Sequence, residues 1–299
     1  MSHRRPGGRL DAVRGQEPTL FTARTPRVVA ARRLHRRRDR EAARRFLAEG
    51  PQAVREALAR PGTVAELFGT PAALDRYADL TAAATRDGVP VSPVTDDALA
   101  ALTETVAPQG LVAVCHHLDR SLARVLAPGR RSERPPVPGH RLAAVLAGIR
   151  DPGNAGTVLR TADAAGAGAV VFAGETVDPY NGKCVRASAG SLFHVDVVRA
   201  ADPAAVVADL RAAGYAVFAA SGYGETDLDL LADAGGLARP TAWLFGSEAH
   251  GLPDELAAAA DARVRVPLHG RAESLNLAAA AAVCLYASAR ALRDRESTP

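Results

Sequence analysis

The stretch Val266-Pro267-Leu268-His269-Gly270-Arg271-Ala272-Glu273-Ser274-Leu275-Asn276-Leu277-Ala278 concentrates residues able to do chemistry. An apolar β-type run stops at a proline and crosses a polar loop. It restarts as a long Ala-rich helix whose first turn is expected to carry Ser274 and Asn276. A helix start offers unpaired N–H groups and a partial positive charge, so it can hold a ligand or position a nucleophile. Two further segments have related chemistry. In Asn154-Ala155-Gly156-Thr157-Val158-Leu159-Arg160-Thr161-Ala162, Asn154 is expected to cap a helix that carries Thr157, Arg160 and Thr161. In Leu244-Phe245-Gly246-Ser247-Glu248-Ala249-His250-Gly251-Leu252-Pro253, glycines that let backbone approach a ligand flank Glu248. That carboxylate can orient loop amides or accept a hydrogen bond from a substrate or from Asn154. Taken singly, Asn154 and Ser274 also read as plain N-caps, Arg160 as a surface arginine and Glu248 as a helix-start carboxylate.

The elements that must position these residues follow from periodicity. Beyond Arg141 the pattern alternates, with strands expected at 142–149, 169–173, 215–220, 241–245 and 263–266. Helices are expected from Asn154, at 204–213, at 254–259 and at 274–293. Apolar strands separated by helices imply a parallel sheet covered on both faces. A dinucleotide fold is disfavoured, because Gly222-Tyr223-Gly224 lacks a third glycine and no Walker-type Gly-Lys-Ser/Thr is present. Upstream, helices at 40–47, 51–60, 71–83 and 96–105 alternate with β-type runs at 63–68, 90–94 and 110–115, which describes a smaller α/β unit.

With 299 residues, two domains are the first expectation. Residues 1–38 read as a basic, mostly disordered arm, 39–127 as the smaller domain, 128–140 as a Pro-rich linker and 141–299 as the larger domain. The net charge is only +4, yet residues 1–45 hold 14 Arg against four acids, leaving the remainder 23 basic against 29 acidic. A basic arm on a mildly acidic body favours a polyanionic partner. Cys115, Cys184 and Cys284 are odd in number and lack CxxC spacing, which argues against a disulfide framework and a zinc site. Cys115-His116-His117 reads as a strand-end coincidence, so no metal is expected. The apolar run 277–289 is too short to span a bilayer and the amino terminus has no apolar signal core, so a cytoplasmic location without a membrane partner is expected.

In this order, the three chemical segments resemble the three motifs of the SpoU/TrmH family of RNA ribose 2′-O-methyltransferases, within the SPOUT superfamily. The resemblance runs from about Arg45 to the last helix. It implies a carboxyl-terminal domain with a trefoil knot that binds S-adenosylmethionine and dimerises, preceded by a ribosomal-protein-like RNA-binding domain. It makes Arg160 the essential arginine, with Asn154 and Glu248 organising the site and Ser274 and Asn276 placing the target ribose and the methyl. Cofactor contact falls to Gly246, Val266, Leu268 and Leu275. Arg45 and Arg186 are expected to face substrate RNA. A neutral arginine is too costly to serve as base, so Arg160 is read as a fork that binds the neighbouring phosphate and stabilises the developing alkoxide. The expected substrate is 23S ribosomal RNA, with no DNA partner. A transfer RNA substrate, and an RNA-binding assembly factor without catalysis, are the alternatives.

Overall fold

A computed structural model describes residues 20–127 and 141–296. The expected linker 128–140 and the first half of the expected arm lie outside the described residues. The amino-terminal unit comprises α1 (Pro26–Arg32), α2 (Arg37–Ala43), β1 (Arg45–Glu49), α3 (Gly50–Leu58), β2 (Val64–Gly69), α4 (Pro71–Arg76), α5 (Ala78–Arg86), β3 (Val91–Pro93), α6 (Asp96–Leu102) and β4 (Leu111–His116). Its sheet runs β1-β4-β2-β3, antiparallel except for the β2–β3 pair.

Residues 20–38, expected to be disordered, are instead built into this unit. Charge density and missing periodicity suggested a solvated arm, but Val28, Ala31 and Leu34 point inward. They join Leu47, Phe68, Leu99 and Val112 in one apolar cluster. The helix expected over 40–47 is also corrected: α2 ends at Ala43, Arg44 adopts a left-handed conformation at φ 52°, and Arg45 opens a strand.

Next come β5 (Asp119–Arg120), α7 (Leu122–Leu126), β6 (Leu142–Ala147), α8 (Pro152–Ala164), β7 (Ala169–Ala173), α9 (Gly182–Ala187), β8 (Asp196–Ala200), α10 (Pro203–Ala212), β9 (Ala216–Ala220), β10 (Thr226–Asp227), α11 (Leu228–Asp233), β11 (Thr241–Phe245), α12 (Asp254–Ala258), β12 (Ala262–Arg265) and α13 (Leu277–Glu296). Their sheet has the order β10-β12-β9-β11-β6-β7-β8-β5, and every pair in it is parallel. The domain boundary expected after residue 127 therefore shifts, since β5 already pairs with β8 of the larger sheet.

Alternate residues on each strand feed opposite faces, as the pleat requires. Leu142, Ala144 and Leu146 of β6, with Trp243 and Phe245 of β11, pack on a face that gathers Val158 and Leu159 of α8 and Ala281 and Leu285 of α13. Ala143, Val145, Ala242 and Leu244 face the other way with Val206, Val207 and Leu210 of α10. Burial on both faces explains why these strands read as continuous apolar runs. The first cluster extends through Tyr180 and Phe193 to Phe46 of the amino-terminal unit, giving the two units a shared core.

Candidate active site

Because β12, β9, β11 and β6 are parallel neighbours, their carboxyl ends lie along one edge of the sheet. The loops 221–225, 246–253 and 266–276 leave from that edge, which is where open parallel sheets usually bind ligands. Between them is a cavity of about 810 Å³. Gly246, Val266, Leu268 and Leu275 all line it, together with Glu248, Ser274 and Asn276.

The loop after β11 can take only its own sequence at one position. A Cβ at Gly246 would stand 2.3 Å from the backbone carbon of Gly251 and 2.4 Å from the Leu252 nitrogen. This closeness lets Ser247 and Gly251 exchange two backbone hydrogen bonds, of 3.0 and 2.8 Å. Gly251 closes the turn with φ +68°, a region that favours glycine. Glu248 stands exposed between them, and His250 donates its amide to Ser247 Oγ.

Helix α8 begins earlier than expected and has a different cap. Asp151 accepts from the Asn154 amide at 2.9 Å while its other oxygen takes Lys183 Nζ at 2.6 Å. The Lys183 hydrogen bond, followed by the Asn154 amide, holds the Asp151 carboxyl below the usual carboxylate range. Asn154 is thus the third residue of the helix rather than its cap, and its amide group is free for other work. Its Nδ2 donates to Glu248 Oε1, and its Oδ1 accepts from Asn276 Nδ2 at 3.2 Å. Asn154 was one of the partners expected for Glu248, and that contact is present.

The start of α13 is corrected in the same way. The helix opens at Leu277, and Asn276 caps it, Oδ1 accepting from the amides of Ala278 at 2.9 Å and Ala279 at 3.4 Å. Ser274 sits in the preceding loop, exposed on the cavity wall, rather than in the first turn. The hydrogen-bonded line Asn276–Asn154–Glu248 therefore ties together a helix start, a second helix and the tip of the glycine loop.

Arg160 is exposed, has no hydrogen bond or ion pair with a described residue, and does not line this cavity. It lies six residues beyond Asn154, roughly 120° around the helix. Arg45 is exposed at the start of β1. Arg186, expected from the resemblance to face RNA, holds its Nη1 2.9 Å from Glu49 Oε1 and 3.2 Å from Glu104 Oε2, joining α9 to the amino-terminal unit.

Sequence reasoning missed the polar seam between the units. Arg40 and Asp178 form an ion pair at 2.7 Å, with both side chains only 4% exposed. Tyr180 donates to Asp119 Oδ1 at 2.7 Å and its oxygen accepts the Leu118 amide. Burial opposes charge on Asp119, but hydrogen bonds from Arg199 and Tyr180 outweigh it and keep the carboxyl below its ordinary range. Arg199 also reaches Glu41, while His194 bridges Asp163 of α8 and Glu56 of α3. Partners so far apart in sequence leave no local pattern to read. The loop after β9 was also passed over: Ser221, Gly222 and Tyr223 line the cavity, and only the failed dinucleotide fingerprint had drawn attention to them.

The three cysteines are buried, and burial pushes the Cys284 thiol up to about 12. Among the described residues no His, Cys, Asp and Glu cluster could hold a metal ion, and no helix is long and apolar enough to cross a membrane.

An open parallel sheet with a loop-built cavity at its carboxyl edge, joined by an asparagine relay to a neighbouring helix, defines an α/β domain able to bind a small ligand where its strands end. Known proteins agree with this. The SpoU rRNA Methylase family matches residues 141–286, and the MRM3-like substrate binding domain matches residues 25–113. The chain is 34% identical over 267 residues to the 23S rRNA (guanosine(2553)-2′-O)-methyltransferase RlmP of Bacillus subtilis, covering 89% of this chain and 97% of that one. A crystal structure of an AdoMet-bound rRNA methyltransferase from Sinorhizobium meliloti superposes with TM-score 0.77 at 31% identity, over 92% of this chain and 98% of that one. The SpoU methyltransferase AviRb from Streptomyces viridochromogenes, in complex with AdoMet, gives 0.74 at 29% identity, over 92% and 100% of the two chains. The chain belongs to the SpoU rRNA methylase family.

Proposed function

We propose that this protein transfers a methyl group from S-adenosylmethionine to a ribose 2′-hydroxyl of RNA, with 23S ribosomal RNA as the substrate. The observation that carries this is the cavity itself, whose wall contains all four residues expected to hold the cofactor and three of the five expected to act on the substrate. The lining suits the cofactor. Val266, Leu268 and Leu275 supply apolar surface for an adenosyl group, and Glu248, Asp254 and Glu273 supply carboxylates compatible with a sulfonium cation. S-adenosylmethionine supplies the electrophilic methyl when bound. The residues of the chain then have three tasks: to hold the hydroxyl in line, to stabilise charge on its oxygen as the proton leaves, and to bind the flanking phosphate.

Asn276 and Asn154 fix one another and Glu248, so the polar wall of the cavity is preorganised before substrate arrives. Ser274, exposed beside them, is free to meet the ribose. Arg160 provides the phosphate and alkoxide fork. Because Arg160 does not line the cavity of its own chain, the reading places it in the site of a second copy. Val283 and Tyr286, exposed at 42% and 49% on α13, supply apolar surface for that homodimer. The carboxyl-terminal trefoil knot, the substrate-facing role of Arg45 and a cytoplasmic location belong to the same reading.

Two experiments test it. Nuclease digestion of RNA after reaction should yield a 2′-O-methyl nucleoside, and a base-methylated product alone would refute the reading. Mixed dimers of Arg160→Ala and Asn276→Ala chains should regain part of the activity that each lacks, and verified mixed dimers without recovery would exclude a shared site.

A further inference from the structure

Ten arginines lie between residues 24 and 45, against two acids, Asp39 and Glu41. Several are paired. Arg27 meets Glu66, Arg44 meets Asp119, and Arg40 is buried on Asp178. Arg32, Arg33, Arg36 and Arg37 differ: each is exposed, and none makes a side-chain hydrogen bond or ion pair with a described residue. All four fall at the corner where α1 turns into α2.

That corner is held firmly from beneath. Leu34 is buried within it, and Arg40 Nη1 donates at 2.9 Å to the carbonyls of both Leu34 and His35. The other end of the same guanidinium grips Asp178 of the larger unit, at 2.8 Å from Nε and 2.7 Å from Nη2. One buried arginine thus ties the backbone of the corner to the unit that carries the active site.

We propose that the α1–α2 corner is a sugar-phosphate docking surface, on which Arg32, Arg33, Arg36 and Arg37 bind the RNA backbone at a fixed offset from the methylation site. The inference rests on RNA being the substrate. Four exposed guanidiniums without a partner among the described residues, on an anchored turn, match a polyanion in charge and in fork geometry. Their contribution is insensitive to sequence and falls with salt, because each phosphate neutralised releases condensed counterions.

The test is RNA binding by fluorescence anisotropy, using an unmodified 23S ribosomal RNA fragment from 50 to 200 mM salt. The intact chain is compared with Arg36→Ala/Arg37→Ala, with the fourfold alanine variant, and with Arg76→Ala/Arg86→Ala, which removes two exposed charges elsewhere. S-adenosylmethionine calorimetry on each variant serves as the folding control. The fourfold variant should bind about tenfold or more weakly, with a log–log salt slope shallower by about 3, and the corner pair should lose about half of that. The control pair should keep the parent slope. A fourfold variant with the parent slope and affinity would overturn the proposal, as would equal losses in the control pair. Because the readout is binding rather than turnover, the corner can stand if methyl transfer fails, and fall while methyl transfer succeeds.

Discussion

Replacing Gly246 by alanine tests the site at its tightest point. The added methyl would meet Gly251 and Leu252 at 2.3–2.4 Å, against backbone atoms that no rotamer change can move. The loop must open, which sacrifices the two Ser247–Gly251 hydrogen bonds. At about 0.5–1.5 kcal/mol each, these represent about 1–3 kcal/mol of preorganisation. If the closed loop is the form that binds the cofactor, its loss should weaken S-adenosylmethionine about 5- to 150-fold. Leu252 of this loop packs against the apolar cluster beneath it, and the lost bonds weaken the folded state itself, so the thermal transition should fall by a few degrees yet stay cooperative. Calorimetric titration together with thermal unfolding measures both. Parent affinity in a folded Gly246→Ala protein would show that the loop does not form the cofactor wall.

Other substitutions separate structure from chemistry. Asn276→Ala removes the α13 cap and should cost about 0.5–2 kcal/mol of stability along with activity, whereas Asn276→Asp should keep the cap and the melting temperature yet lose turnover. Equal melting temperatures for the two variants would contradict the capping role. Arg160→Ala should leave stability within about 0.5 kcal/mol, because the side chain is exposed and has no partner among the described residues, while lowering turnover about 10²–10³-fold. Arg160→Lys keeps charge without the fork, so near-parent turnover there would remove the fork from the account. His117, stacked on Tyr180 with centroids 4.1 Å apart, is held below its usual pKa by burial and then by the Arg199 charge. A depressed histidine stabilises the fold fully above about pH 6.5, and that contribution drains as pH falls towards its folded pKa. The melting temperature should therefore fall more steeply from pH 7 to 5 in the parent than in His117→Gln, and parallel curves would refute it.

The larger unit was readable because strands covered on both faces leave continuous apolar runs, and 169–173 and 241–245 coincide with the observed strands. The first helix was obscured because α1 is only seven residues long, buries just Val28 and Ala31, and runs into the arginine-rich corner that follows it. Short pieces such as β5 and β10, two residues each, carry too few side chains to show a period. Within the site, residue types were legible but partners were not. Asp151 and Asn154 both suit a helix start, and the choice between them depends on Lys183, 32 residues away. Likewise Ser274 and Asn276 both suit a cap, and the choice depends on where the loop reaches Asn154.

The most direct test of the central claim is incorporation of labelled methyl from S-adenosylmethionine into unmodified 23S ribosomal RNA and unmodified transfer RNA, side by side, with Arg160→Ala as the control. The account predicts label in ribosomal RNA, recovered as a ribose 2′-O-methyl nucleoside and lost in the variant. Label confined to transfer RNA would contradict the substrate, and no label in either would contradict the enzyme.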